Sequence, residues 1–204
     1  MKSLLKITAA LVAGTALSAS AATFNFEGTS VVSGITSLVQ SDSGLTATFT
    51  RVGGLAFEIR SDFPAFGTRT LSPFNNTSAG AFIVDFSALI SSFSVDMGDF
   101  AVSDVDTLTL TAYAGAGGTG AVLGTTSLTL PNSPAGFHSL TLALSSASIA
   151  SVVMNGGSTA FPNSVAYDNI VATVGPVGAP DAGSTAVLLF AALAGLGVLR
   201  RRMV

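Results

Sequence analysis

The sequence predicts an all-β protein in which two antiparallel sheets pack as a jelly-roll-like sandwich. From Thr23 onward, apolar and polar residues alternate in short segments, which is the pattern of half-buried strands. Clusters of glycine, proline and asparagine separate these segments at intervals of about ten residues, as in sandwiches and barrels. No apolar stripe with helical spacing interrupts the pattern before residue 184.

The predicted strands follow one another along the whole central region. Phe24 and Phe26 belong to the first of them, and the alternation is clearest in 45–50 and continues at 57–59. Further strands are predicted at 81–86, 92–97, 107–114, 122–130, 137–144, 149–154 and 165–174. Turns are predicted at 53–54, 73–76, 115–120, 131–134 and 155–157, where glycine, proline or asparagine fixes the geometry. Fourteen phenylalanines and no tryptophan indicate an aromatic core between the sheets.

The N-terminus has the pattern of a secretory signal peptide. Lys2 and Lys6 precede an uncharged, mostly apolar run from Ile7 to Leu17, and small residues follow it. A positive start, an apolar middle and a small-residue cleavage site predict removal of residues 1–21. The mature chain would begin at Ala22, or at Thr23 if cleavage falls one residue later. Signal peptidase and the secretion machinery are therefore expected partners.

The C-terminus has the pattern of a short membrane span. Residues 184–199 contain no charge and end directly against Arg200, Arg201 and Arg202. A helix of this length spans about 24 Å at 1.5 Å per residue, against a hydrocarbon core of about 30 Å. The arginines would remain on the cytoplasmic side and orient the preceding domain outward. We therefore predict a transmembrane helix and basic tail at 184–204, after a linker and sorting motif at 176–183.

The residues before this helix resemble the PEP-CTERM class of sorting tails, most closely the variant with the pattern V-P-D-S-G-S-T. The matching positions are Pro180, Asp181, Gly183, Ser184 and Thr185, whereas alanine stands at 179 and 182 in place of valine and serine. The resemblance implies recognition by an exosortase, a membrane-embedded protease or transpeptidase. It further implies transient anchoring through the helix, then delivery to the cell surface or extracellular matrix. A long-lived membrane anchor is the alternative reading of the tail.

Composition limits what the central domain does. Residues 22–175 suit a single domain, because they are too few for two comfortable cores. Three basic and ten acidic side chains between the signal and the tail give a formal charge of −7. Such a surface repels nucleic acid and suits cations such as calcium. The absence of cysteine excludes disulfides, zinc–cysteine sites and thiol nucleophiles.

Carboxylates concentrate in one stretch of the central domain. Asp96, Asp99, Asp104 and Asp106 lie within eleven residues around a predicted loop. Calcium takes six to eight oxygen ligands, and this loop could supply several of them. Aspartate beside glycine also caps turns without binding a metal, so both interpretations stand.

Glu27 on the first strand and Asp168 with Asn169 on the last form a second constellation. Here the domain resembles the β-sandwich ectodomains that precede such tails and the calcium-containing, carbohydrate-binding jelly rolls. The resemblance rests on the segments 26–28, 94–99, 106–110 and 167–170. It implies that Glu27 and Asp168 meet at a structural calcium ion.

Three function classes remain open at the level of sequence. The favoured one is a non-catalytic surface or matrix protein, associated with surface polysaccharide and processed by an exosortase. A carbohydrate-binding module is the alternative, although only Tyr113 and Tyr167 stand beside the phenylalanines as possible platforms. A glycan hydrolase is less well supported, because His138 is the only histidine, lacks a nucleophile motif, and no spacing selects a carboxylate pair.

Overall fold

A computed structural model describes residues 19–61, 68–74, 80–99, 104–131, 136–162 and 164–175, with Asp99 and Pro131 described by their backbone. Ala19–Gly175 forms one compact unit. The predicted apolar run of the signal peptide, the linker with its sorting motif, and the C-terminal helix lie outside the described residues. Across the described ranges, no helix has the length and apolarity needed to cross a bilayer.

The described part of the chain is built from twelve strands and two short 3₁₀ turns, and it contains no α-helix. The 3₁₀ turns are Val52–Gly54 and Ala116–Gly118. The strands are β1 Ser20–Phe24, β2 Val32–Ile35, β3 Ser37–Asp42, β4 Leu45–Arg51, β5 Phe57–Arg60, β6 Thr70–Pro73, β7 Phe82–Asp99, β8 Val105–Gly115, β9 Thr119–Pro131, β10 His138–Ala143, β11 Ile149–Gly157 and β12 Val165–Val174.

The strands form two antiparallel sheets that share β7. Sheet I has the order β3–β4–β7–β11–β8–β9 and uses the first part of β7. Sheet II uses the second part of β7, between β10 and β12. On its far side β12 pairs with β1 and, further along, with β6, after which β5 and β2 complete the sheet. The predicted pair of antiparallel sheets is confirmed, and the jelly-roll-like subtype stays a prediction.

The core lies between the two sheets and is rich in phenylalanine, as the composition predicts. Phe82 is its centre, with ring centroids 5.5 Å from Phe57 and 5.1 Å from Tyr167 in edge-to-face contacts. Phe49 makes similar contacts with Phe24 and Phe26. Such geometry adds to the stabilisation that burial alone provides, because the positive ring edge meets the negative face.

One arginine is buried among these rings. Arg51 ends β4 on the core-facing side of the alternation and is 2% exposed. Its Nε donates to the carbonyl of Gly80 at 2.9 Å, and its Nη1 donates to the carbonyl of Ala56 at 2.8 Å. The guanidinium lies 5.5 Å from the centroid of Phe82, and burial lowers its pKa. Arg51 therefore fastens two connecting segments to the core through charge-assisted hydrogen bonds.

Two sequence predictions about elements are wrong. The segments 81–86 and 92–97 belong to one strand, because the intervening residues 87–91 contain neither glycine nor proline and the chain stays extended. The predicted turn at 155–157 is the end of β11. Gly156 has a packing role there, since a Cβ at this position would lie 2.7 Å from Val165 and 3.1 Å from Leu108. Sequence analysis did not predict β2 and β6, which have four residues each, or β3, whose adjacent Leu38 and Val39 hide the alternation that its burial shows.

Replacement of Phe82 tests the aromatic core. Phe82→Ala removes the ring that contacts Phe57, Tyr167 and Arg51, and we expect it to lower the free energy of unfolding by about 3–5 kcal/mol. The control is Phe161→Ala, because Phe161 is 52% exposed and should change stability by less than about 0.5 kcal/mol. Urea unfolding of residues 19–175, followed by circular dichroism, measures both. Equal effects of the two substitutions would contradict the assigned core.

Candidate functional site

The acidic site lies on the face of sheet II that points away from the inter-sheet core. Asp96 of β7 is paired directly with Asp168 of β12 on one side and with Ser139 of β10 on the other. Met97 and Tyr167, the neighbours of these aspartates, point into the core and are fully buried. Strand alternation therefore places both carboxylates together on the outer face.

Asp168 is the buried member of this pair. Only 4% of the residue is exposed, and its Oδ1 has no hydrogen-bond partner. Burial is the largest of the causes that together raise the pKa of Asp168 to about 6, and the negative charges of Glu27 and Asp96 act in the same direction. Backbone N–H groups of Asn169 and Phe26 donate to the carboxylate and lower the pKa by less. The site thus holds a carboxylate whose charge is poorly compensated.

Asp96 has both carboxylate oxygens engaged by neighbouring side chains. The Ser139 hydroxyl donates to Oδ1, and the Asn169 amide donates to Oδ2 at 3.0 Å. Asn169 adopts a left-handed backbone with φ of 46°, a conformation that asparagine tolerates better than most residues. The irregular pairing between Asp168 and Val171 accompanies this conformation. A bulge in β12 therefore turns the Asn169 side chain toward Asp96.

Glu27 approaches from the segment that follows β1. Its side chain is exposed, and its Oε1 accepts a hydrogen bond from the backbone N–H of Arg69 at 3.2 Å. The Arg69 Nε donates to the carbonyl of Thr29 at 3.3 Å, which holds the two segments together. The negative charge of Glu27 raises the pKa of Asp168, but Glu27 lies three residues past the end of β1 and not on the first strand itself.

The other predicted ligands lie elsewhere or are described only in part. Asp99 pairs through its backbone with Val165, and its side chain lies outside the described residues. Asp106 is the second residue of β8, opposite Leu130, and is 1% exposed, while Asp104 precedes that strand. The charges that act on Asp168 come from Glu27 and Asp96.

The described carboxylates do not converge into a preformed metal cluster. Within the ranges that the structure covers, no three histidine, aspartate or glutamate side chains lie close enough together to hold a metal ion. Calcium binding stays a prediction. Sequence reasoning placed Asn169 beside Asp168 but missed the roles of Ser139 and Arg69, because cross-strand register and loop contacts bring these two to the site.

The tail is identified by comparison with protein families. Residues 180–203 match the model of the VPDSG-CTERM motif. This chain carries a VPDSG-CTERM sorting tail. The match includes every predicted sorting residue and Arg200, Arg201 and Arg202. The predicted resemblance is therefore confirmed for the tail, and a sandwich precedes it.

Comparisons that reach the sandwich are weaker. No curated protein matches the sequence. Among solved structures, the chain is similar to CBM29_1, a family 29 carbohydrate-binding module from Piromyces equi, at 12% identity and a TM-score of 0.40. The match covers 79% of this chain and 95% of the module.

The raised pKa of Asp168 predicts a dependence of stability on pH. The folded state holds this proton up to about pH 6, against an ordinary value of 3.8. The contribution of Asp168 to stability is therefore greatest below pH 4 and is lost as the pH rises through 6. With chelator present, the wild type should lose roughly 2 kcal/mol of stability relative to Asp168→Asn between pH 4 and pH 7. Thermal or urea unfolding of residues 19–175 measures the difference.

A matched substitution separates this effect from general titration. Asp85→Asn removes a carboxylate from the other sheet, where Asp85 accepts a hydrogen bond from Gly117 at 2.6 Å. This variant should lose as much stability between pH 4 and pH 7 as the wild type does. If Asp168→Asn and Asp85→Asn show identical pH profiles, Asp168 is not the group responsible.

Proposed function

We propose that this chain is an exported, non-catalytic surface or extracellular-matrix protein that an exosortase processes at its C-terminal tail. The observation that carries the proposal is the match of residues 180–203 to the VPDSG-CTERM motif. The motif, the uncharged segment and the arginines occur in the order that such tails have. The sandwich is the part that processing would deliver outside the cell.

Each end of the precursor has a separate task in this proposal. Signal peptidase would remove residues 1–21 after the secretion machinery has engaged them. The apolar segment 184–199 would then hold the chain in the membrane, with Arg200 to Arg202 on the cytoplasmic side. Pro180 and Asp181 would face the exosortase on the outer side. Because β12 ends at Val174, cleavage at the motif leaves every strand of the sandwich intact.

The chemistry of the domain supports a role without catalysis. The chain has no cysteine, and its single histidine is not accompanied by a nucleophile motif in the sequence. The acidic site on sheet II uses both oxygens of Asp96 in structural hydrogen bonds. Asp168 keeps one oxygen without a hydrogen-bond partner, but a hydrolase would also need a second carboxylate placed across a substrate bond, and both oxygens of Asp96 are already engaged.

Mass spectrometry of the C-terminus tests the processing. In a host with a matching exosortase, the surface form of the wild type should end within or just before the sorting motif. Pro180→Ala should leave most of the chain with Arg200 to Arg202 attached. Pro176→Ala is the matched control, because this proline lies in the same region but outside the matched residues. Retention of the arginines in the wild-type surface form would overturn the proposal and favour a permanent anchor.

We further propose that the acidic site of sheet II binds calcium as a structural ion. Asp168 supplies a buried carboxylate oxygen with no partner, and Glu27 and Asp96 add negative charge beside it. A divalent cation would compensate this charge, with Asp168 and Glu27 as the side-chain ligands and backbone carbonyls as the others. The ion would stabilise the contact between the first and last segments of the domain.

Thermal unfolding with calcium tests this site. At about one hundred times its dissociation constant, calcium should stabilise the domain by roughly 2.7 kcal/mol. For a domain of this size, the melting temperature would rise by about 5–10 °C. Asp168→Asn should abolish the shift, and Asp85→Asn should keep it. Calcium has no place at this site if the wild type melts at the same temperature with calcium and with chelator.

Carbohydrate binding is the second candidate function, and an exposed ring favours it. Phe161 is 52% exposed on a short turn. The turn is held by a bridge between Gly157 and Pro162 and by the Phe161 N–H, which donates to the Ser158 hydroxyl at 2.9 Å. A ring fixed in this way offers an apolar surface to a sugar face. Glycan-array binding that Phe161→Ala removes would assign this function to the domain.

A further inference from the structure

Strand β9 leaves a long sheet edge open. It runs over thirteen residues, pairs with β8 and has no second partner strand among the described residues. The opposite edge of sheet I is β3, which is shorter and is contacted from the β1 side. Asp42 of β3 accepts a hydrogen bond from the Thr23 N–H at 2.7 Å, and Gln40 donates to the Asn25 carbonyl at 3.2 Å.

The β9 edge lacks the usual protection against pairing with another strand. Natural edges carry lysine, inward charges, proline or bulges that block such pairing. β9 has no charged residue, its proline stands at the last position, and its irregular pairing is confined to the hairpin end. From Gly124 to Leu130 the strand pairs regularly with β8.

Charge limits which partner this edge accepts. The central domain has a formal charge of −7, so two copies repel each other over most of their surfaces. Along β9 and the facing positions of β8, the outward side chains are Thr125, Ser127 and Thr129 beside threonines 107, 109 and 111. Two copies can meet here without bringing carboxylates together, and hydroxyl side chains would face hydroxyl side chains.

The core-facing side chains of β9 in one copy are also complementary to those of β9 in a second copy. Leu128 is 37% exposed although it lies on the core-facing side, opposite the buried Leu108. Gly124 lies four residues away on the same side, and a Cβ there would be 3.7 Å from methyl groups of Leu142 and Leu144. If Thr126 faces its own counterpart, Leu128 comes opposite Gly124 of the partner subunit. Each exposed leucine would then fill the space beside two leucines of the other copy.

We propose that a second copy of this chain pairs antiparallel along β9, with the twofold axis at Thr126. Sheet I of one copy and sheet I of the other become one continuous sheet. The assembly stops at two copies because each copy contributes the same strand to the contact. Backbone hydrogen bonds from the two open edges supply the directionality, and Leu128 supplies apolar burial. The contact lies on sheet I, whereas the acidic site lies on sheet II.

Disulfide trapping tests the register. The chain has no natural cysteine, so Thr126→Cys introduces a single thiol. Directly opposite residues of an antiparallel pair have Cα atoms about 4.5–5.5 Å apart, within the range a disulfide spans. The full chain in detergent at low concentration should form at least ten times more covalent dimer on oxidation than Thr141→Cys. Thr141 is the matched control, an exposed threonine on the edge strand β10.

A second substitution tests the leucine contact. In the Thr126→Cys chain, Leu128→Lys would place an ammonium group against Leu142 and Leu144 of the partner subunit and should reduce the dimer at least tenfold. Thr129→Lys adds the same charge on the outward side and should reduce it less than threefold.

The cross-link has an independent check if a lysine variant does not fold. A mixture of Thr125→Cys and Ser127→Cys chains should form the mixed dimer at least five times more than either chain forms with itself. Cross-linking of Thr126→Cys at the level of Thr141→Cys, or no preference for the mixed dimer, would overturn the proposal.

Discussion

The fold depends on one strand that belongs to both sheets. The first part of β7 lies between β4 and β11, and the second part lies between β10 and β12. Ile90 lies where β7 passes from sheet I to sheet II, and it is paired with Ile149 of the first sheet and Val174 of the second. Backbone hydrogen bonds thus connect the two layers directly, whereas most sandwiches join their layers through side chains and loops. The orientation of the acidic site relative to the core follows from this strand, because Asp96 and Phe82 both belong to it.

Much of the fold could be predicted because alternation is strong where one face of a strand is buried. Leu45, Ala47 and Phe49 are core residues, as their pattern indicates. The same rule places Arg51 in the core, which the chemistry of arginine alone argues against. Length was harder to predict than position. β7 continues through a segment without apolar periodicity, which made one strand look like two. β11 continues through glycines, which usually indicate a turn.

The candidate site shows where local sequence stops being informative. Proximity in sequence grouped Asp96 with Asp104 and Asp106, but proximity does not say which face of its strand each residue occupies. Asp106 is buried on β8, and Asp96 faces outward on β7 beside Asp168. The approach of Glu27 to Asp168 follows from pairing between the first and last strands, which composition and periodicity do not encode. The predicted proximity of Glu27 and Asp168 came from the resemblance to calcium-containing jelly rolls. In the structure, the charge of Glu27 raises the pKa of Asp168. A buried carboxylate costs stability unless a counter-charge is present, and a cation bound at Asp168 would supply one.

Pairing between β1 and β12 has a consequence for the order in which the domain assembles. Ala22 faces Ala172, so the leading strand has its partner only when almost the whole domain has been made. Cleavage after Ala21 would fall inside β1, two residues after its start. A protease binds its substrate as an isolated extended segment. A strand that is already paired in a sheet cannot be bound in this way. Leader removal would therefore precede closure of sheet II. Contacts of such large sequence separation form slowly, so under the proposed export the polypeptide would cross the membrane unfolded and complete its tertiary structure outside.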